Sequence, residues 1–97
     1  MTRDEILKKL EENRDTIRGF GVRRLGIFGS CARNEDTEAS DIDFLVLLDE
    51  ATFDKYFDLK FFLEDIFGRK VDLVMEDTIK PRIKPYILKD AVYASGL

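Results

Sequence analysis

The sequence predicts a small α/β (α+β) domain, a mixed sheet of three to four strands flanked by helices. Three observations lead there. Runs of β-branched, aliphatic and aromatic residues at 24–28, 41–48 and 70–75 have the length and composition of strands. Stretches at 2–18 and 52–67 space their apolar residues as helices do, and each is bounded by start and stop signals. Finally, 97 residues suffice for one core, with roughly 60–65% of the unfolded chain's surface buried on folding, so residues 1–97 read as a single domain.

The elements follow in order. Thr2 with Glu5 three residues later has the spacing of a capping box and opens a helix over 2–18. Ile6, Leu7, Leu10 and Ile17 form its partial apolar stripe, interrupted at Asn13 and Arg14, and Gly19 and Gly21 stop it. Arg24 to Phe28 is a short buried strand that runs directly into Gly29-Ser30. Residues 34–40 are small, polar and acidic, and predict a loop. Asp41 to Leu48 is the strongest strand signal, 52–67 a helix ending at Gly68, and Lys70 to Met75 a third strand. Pro81 and Pro85 confine the next helix to a stretch that starts near one of them and ends near Asp90. The tail AVYASGL has the makings of a short fourth strand.

Composition removes whole classes of chemistry. The chain contains no histidine, which excludes imidazole general bases, Ser-His hydrolysis and His-ligated zinc. Its one cysteine, Cys31, permits neither an internal disulfide nor a thiolate zinc site and suits a reducing compartment. A net charge of −4 argues against nucleic acid as a direct partner. The charged N-terminus is unlike a signal peptide, and no apolar run approaches the roughly 20 residues that span a bilayer, so the expectation is a cytoplasmic protein without a membrane partner.

Strand alternation carries the chemistry. Asp41 and Asp43 project from one face, while Ile42, Phe44 and Val46 occupy the other. Neighbouring carboxylates raise each other's pKa, and a divalent cation removes that cost. Every charged residue from Glu35 to Glu50 is acidic, and an all-oxygen donor set suits Mg²⁺, or alternatively Mn²⁺. The plainer alternative is that Asp41 caps a strand and Asp43 faces solvent. Gly29 after a strand lets backbone amides approach a phosphate, and the Ser30 hydroxyl can bond a phosphate oxygen. Taken alone, the pair is equally an ordinary turn with Ser30 as a helix cap. Asp72 stands in an otherwise apolar strand and needs a partner or a cation. Should that strand lie beside 41–48, all three carboxylates converge, and Asp72 could take the proton of an attacking hydroxyl.

Gly29-Ser30, ten residues, then Asp41-Ile42-Asp43 resembles the G-S-x(10)-D-x-D signature of the DNA polymerase β-like nucleotidyltransferase superfamily. IFGSCARNEDTEASDIDFLVLL is similar to its smallest members, the minimal nucleotidyltransferases (MNT), and the likeness extends through Asp72 and KPRIKPYILKDAVYA. The resemblance implies a polymerase β-like core in which Gly29 and Ser30 hold the triphosphate. Asp41 and Asp43 would ligate the metal, and Asp72 would be the third acidic residue, ligand or base. Arg33 sits where the family often has a basic residue beside the phosphate turn, although a solvated arginine explains it equally well. Cys31, inside the motif, reads as a small packing residue.

The resemblance further implies an antitoxin of a toxin–antitoxin pair, an enzyme that transfers AMP from ATP onto a tyrosine of a partner HEPN ribonuclease. The alternative is a non-catalytic antitoxin that neutralises its toxin by stoichiometric binding. The helix at 52–67 bears more apolar surface than one core-facing stripe requires, and the excess is available to a partner or a second copy. Lys80, Arg82, Lys84 and Lys89 make 80–90 basic, which a solvated helix face accounts for. A phosphatase using D-x-D as nucleophile and acid leaves the Gly-Ser turn unexplained.

Overall fold

Strand β2 (Ile42–Leu48) is the spine of the molecule, seen in a computed structural model that describes residues 1–37 and 39–97. Glu38, within the predicted 34–40 loop, lies outside the described residues. β1 (Val22–Ile27) pairs with β2 antiparallel, β3 (Val71–Met75) pairs with it parallel, and β4 (Val92–Tyr93) adds antiparallel to β1. The order β3-β2-β1-β4 is the expected mixed sheet with its short fourth strand. A parallel pair needs a crossover, which helix α4 (Phe53–Phe67) supplies between β2 and β3.

The pleat sorts the side chains. Leu25, Ile27, Ile42, Phe44, Val46, Val71 and Leu73 are buried beneath α1 (Arg3–Glu12), α2 (Arg14–Gly19) and α4, which contribute Ile6, Leu10, Ile17, Leu59, Leu63 and Phe67. Phe44 is fully buried against Phe67, ring centroids 5.5 Å apart, and burial of a side chain this size contributes roughly 2–3 kcal/mol. The opposite face of β2 carries Asp43, Leu45 and Leu47; Leu45 is fully buried there, and Asp43, near the start of the strand, is half-buried.

The sequence signals materialise closely at the caps. The Glu5 N–H donates to Thr2 Oγ1 (3.2 Å) and the Thr2 N–H to Glu5 Oε1 (3.0 Å), completing the capping box. Thr52 caps α4 through the Lys55 N–H, and Gly68 ends it at φ +63°. The N-terminal helix departs from expectation: it is broken at Asn13 into α1 and α2. The Asn13 side-chain amide donates to the Lys9 carbonyl at 2.8 Å, competing with the helical ladder. Ile17 stays in phase with Ile6 and Leu10 across the break, and all three are fully buried. β1 starts earlier than predicted and ends at Ile27, because Phe28 already leads into helix α3 (Gly29–Ala32). A 3-10 turn (Glu76–Thr78) follows β3, and helix α5 (Lys84–Asp90) begins with Pro85 in its first turn.

β3 is an edge strand, and α4 guards its outer side. The Val71 N–H donates to Glu64 Oε2 (3.1 Å), and the Tyr56 hydroxyl donates to the Leu73 carbonyl (2.6 Å). Satisfying those groups from a helix removes part of the template for unwanted strand pairing. Among the described residues, no helix is long and apolar enough to cross a membrane.

Candidate active site

The turn after β1 brings backbone against carboxylate. Phe28 is extended, its N–H donates to the Asp43 carbonyl at 3.0 Å, and Gly29 then turns with φ +69°. A Cβ built on Gly29 lies 2.5 Å from Asp43 Oδ2, so glycine is required both by backbone conformation and by space. This close approach is what the ten-residue spacing achieves. It folds the Gly-Ser turn back onto the opening of β2. Ser30 follows in the single turn of α3, half-buried, where opening amides have no intrahelical acceptors.

The carboxylates assemble through strand register. Asp43 and Asp72 are direct partners in the parallel β2–β3 pairing, which realises the expectation that the two strands are neighbours. Asp43 is half-buried; Asp72 is exposed, and so is Asp41, which precedes the first residue of β2. Burial raises the Asp43 pKa, and the charges of Asp72 and Asp41 raise it further, opposed by Arg33. Both partner carboxylates are therefore close enough to be felt. Among the described residues, no three His, Cys, Asp or Glu side chains are gathered closely enough to hold a metal ion, so strand register pairs Asp43 with Asp72 but the three carboxylates do not form a ready ligand cluster. The donor chemistry nonetheless fits a hard divalent ion. All the groups are carboxylate oxygens, and Asp43 is in a field that a positive charge would relieve.

Arg33 closes α3 and is engaged otherwise than expected. Its Nη1 donates to Asp90 Oδ2 (2.9 Å) and its Nε to Glu35 Oε2 (3.1 Å), tying the phosphate-turn candidate to α5. Its guanidinium must leave those acids to reach a phosphate. Cys31 is buried, and burial followed by nearby Asp36 pushes its thiol pKa up, so it packs rather than reacts. Of the basic residues at 80–90, Lys80, Arg82 and Lys89 are exposed, whereas Lys84 is half-buried and within electrostatic reach of Glu76.

Two features escaped the sequence. Arg69, just before β3, holds the segment that leads into Asp41. Its Nη1 bonds Asp36 Oδ2 (3.2 Å), its Nη2 bonds the carbonyls of Ser40 (2.6 Å) and Thr37 (2.9 Å), and its Nε also bonds Ser40 (3.2 Å). The Arg69–Asp36 pair is largely buried, and it ties the start of β3 to the segment that leads into β2. On the same sheet face as Asp43, Arg24 lies opposite Leu47, and Tyr93 opposite Gly26. There Arg24 grips Glu76 with both Nε (2.8 Å) and Nη2, its guanidinium 5.1 Å from the Tyr93 ring centroid, while the Tyr93 hydroxyl donates to Glu76 Oε1 (3.2 Å). A Glu immediately after an apolar strand was the available signal for this cluster. Nothing local marks its partners.

Known proteins share this arrangement of elements. The family described as "Nucleotidyltransferase domain" matches residues 3–94. A protein of Thermococcus cleftensis named protein adenylyltransferase MntA is 39% identical over 95 residues, 96% of each chain. A solved structure provisionally described as a minimal nucleotidyltransferase superposes with a TM-score of 0.82 at 33% identity, over 95% of both chains. A tri-AMPylated Shewanella oneidensis HEPN toxin in complex with MNT antitoxin contains a chain of the same fold, with a TM-score of 0.68 at 19% identity over 99% of this chain and 74% of that one.

Proposed function

The chain belongs to the nucleotidyltransferase domain family, and on that premise we propose that it transfers AMP from ATP onto a tyrosine of a HEPN ribonuclease toxin, acting as the antitoxin. The observation that carries this reading is the Gly29 backbone pressed against Asp43, itself in register with Asp72. Phosphate turn and acidic pair are thus one site rather than two motifs. The relative named as a protein adenylyltransferase supports the reading by matching end to end. The AMPylated toxin bound by its MNT antitoxin supplies the acceptor by analogy.

The residues divide the work. Gly29 and Ser30 hold the triphosphate through backbone amides and the serine hydroxyl, and Arg33 adds a contact once released from Glu35 and Asp90. Asp41, Asp43 and Asp72 hold Mg²⁺, with Mn²⁺ as a substitute. When bound, the cation neutralises phosphate charge and orients the leaving group. Asp72, the most accessible of the pair it forms with Asp43, accepts the proton of the tyrosine hydroxyl. A bond forms between that oxygen and the α-phosphorus as the α–β phosphate bridge breaks and pyrophosphate leaves. One domain, 1–97, suffices because the partner itself holds the acceptor. The setting is the cytoplasm, where ATP is abundant and Cys31 stays reduced.

Intact-mass spectrometry of the protein with the product of its adjacent reading frame, ATP and Mg²⁺ tests this. The partner should gain one or more AMP units, and none with Asp41→Asn/Asp43→Asn. A stable complex with no added mass supports the second reading, neutralisation by binding alone, which the exposed aromatic face of α4 favours.

A further inference from the structure

Helix α4 has two apolar faces, and only one is used. Leu59, Leu63 and Phe67 are buried in the core. Phe53, Phe57 and Phe61, each four residues after the last, are 81%, 39% and 60% exposed. Their rings stack into a ridge, with centroids 6.0 Å apart at both steps. At its N-terminal end the ridge opens into an apolar pocket of about 200 Å³ lined by Ala51, Thr52, Phe53, Tyr56, Phe57 and Met75. A contiguous aromatic surface like this is uncommon on a chain with no further use for it.

The flanks say what fits. Asp54, Asp58 and Asp65, all exposed, share one side of the ridge by their spacing of four and seven. A second copy is a poor occupant. A two-fold pairing sets the same patch against itself, and with the helices antiparallel it faces this acidic flank with its own like charges. The chain's net charge of −4 adds to that repulsion. From Phe53 to Phe61 the ridge rises eight residues along α4, about 12 Å at about 1.5 Å per residue, a match for two turns of another helix laid along it. It lies on the helical layer beside the β3 edge, where Tyr56 of its pocket bonds the Leu73 carbonyl and is within electrostatic reach of Asp72.

We propose that the Phe53–Phe57–Phe61 ridge docks an amphipathic helix of a protein partner, one whose apolar face is flanked by Lys or Arg residues that meet Asp54, Asp58 and Asp65. One partner side chain enters the pocket beside Tyr56 and Met75. The biological purpose rests on the protein-acceptor reading above; the surface itself can be tested without it.

The probe is a fluorescein-labelled helical peptide of about 18 residues with Leu along one face and Lys on its flanks, paired with a version carrying Glu for Lys. Anisotropy titrations, without nucleotide or metal, should show the Lys peptide binding at least about tenfold tighter than the Glu peptide. Phe53→Ser/Phe61→Ser should weaken the Lys peptide by about tenfold or more, with helical circular dichroism unchanged. Asp54→Lys/Asp58→Lys should reverse the preference between the peptides. Asp41→Asn/Asp43→Asn should bind like the original, which separates failure of this surface from failure of the transferase reading. Equal affinity for both peptides, binding that survives loss of the phenylalanines, or binding lost with Asp41 and Asp43 would overturn the proposal. So would a dimer in sedimentation that the serine substitutions dissolve.

Discussion

Asp43 and the Arg24–Glu76–Tyr93 cluster share one face of one sheet, yet the protein treats their charges in opposite ways. Glu76 is only 4% exposed, and it is gripped by Arg24 and receives the Tyr93 hydroxyl. Those bonds, Arg24 foremost, hold its pKa below the usual glutamate value. Asp43 is less buried but, among the described residues, has no such hydrogen bonds; burial, Asp72 and Asp41 push its pKa up. A structural charge is satisfied by the chain, whereas a working charge is left for a ligand to satisfy. The difference separates an ion pair that stiffens the sheet from a group of like charges to which the proposed function assigns the cation.

The contrast is most exposed to Asp41→Asn/Asp43→Asn. Transfer should fall by about 10³-fold or more by the intact-mass assay. The melting temperature without metal should hold or rise, because the change removes repulsion. A clear drop in stability would place Asp43 among the structural charges instead. Next, Gly29→Ala should cost about 1–3 kcal/mol in denaturant unfolding, since it strains a positive φ and drives a methyl into Asp43. Transfer should fall with it, while Gly19→Ala, where a Cβ meets nothing, should leave transfer intact.

Glu76→Gln should behave as the mirror image of the aspartate change. It should lose about 1–3 kcal/mol of stability, a range discounted because Arg24 is half-exposed, and retain most of its activity. Arg69→Ala sharpens the comparison from a third direction. It leaves Asp36 buried without its cation and frees the Thr37 and Ser40 carbonyls, costing about 1–3 kcal/mol. Because it acts by positioning, Arg69→Lys should restore stability in part while transfer remains reduced, with kcat affected more than KM.

The smallest effects are in the titrations. Glu76, lowered from 4.5, stabilises the fold above that value and loses its contribution as pH falls through its depressed pKa. Asp43, raised from 3.8, has the opposite sign: its favourable term is complete below 3.8 and is lost as pH rises through its raised value. Carboxyl ¹³C titrations should place the two on opposite sides of their ordinary values. Asp72→Asn should move Asp43 only part of the way back, because burial is the larger cause. A full return would make Asp72 the dominant cause.

Much of the fold was legible because it was written in local chemistry. Thr2 and Glu5 meet within one helical turn, Gly68 supplies the left-handed stop, and the alternation of Ile42, Asp43, Phe44 and Val46 sorts itself by the pleat. The same alternation set Asp72 opposite Val71 and Leu73, and left its meeting with Asp43 conditional on the two strands being neighbours. Arg69 was not legible, because its partners at 36, 37 and 40 are distant in sequence and no spacing rule links an arginine before one strand to the loop before another. The break at Asn13 was marked only as an interruption of the apolar stripe; there the Asn13 side chain bonds the Lys9 carbonyl and the helix divides in two. The exposed half of the α4 aromatics was visible as an excess, without any indication of which rings were spared.

By itself, the sequence determined the element types, the caps, the absence of histidine chemistry and the family motif, since each depends on residues that are neighbours along the chain or on residue type alone. Only the tertiary structure decided that Gly29 abuts Asp43, that Asp72 falls in register with it, and that Arg33 is held by Glu35 and Asp90. It alone decided that Glu76 is neutralised while Asp43 is not. Those outcomes depend on strand order and register. They are set by how one shared core is packed, and no local preference encodes them.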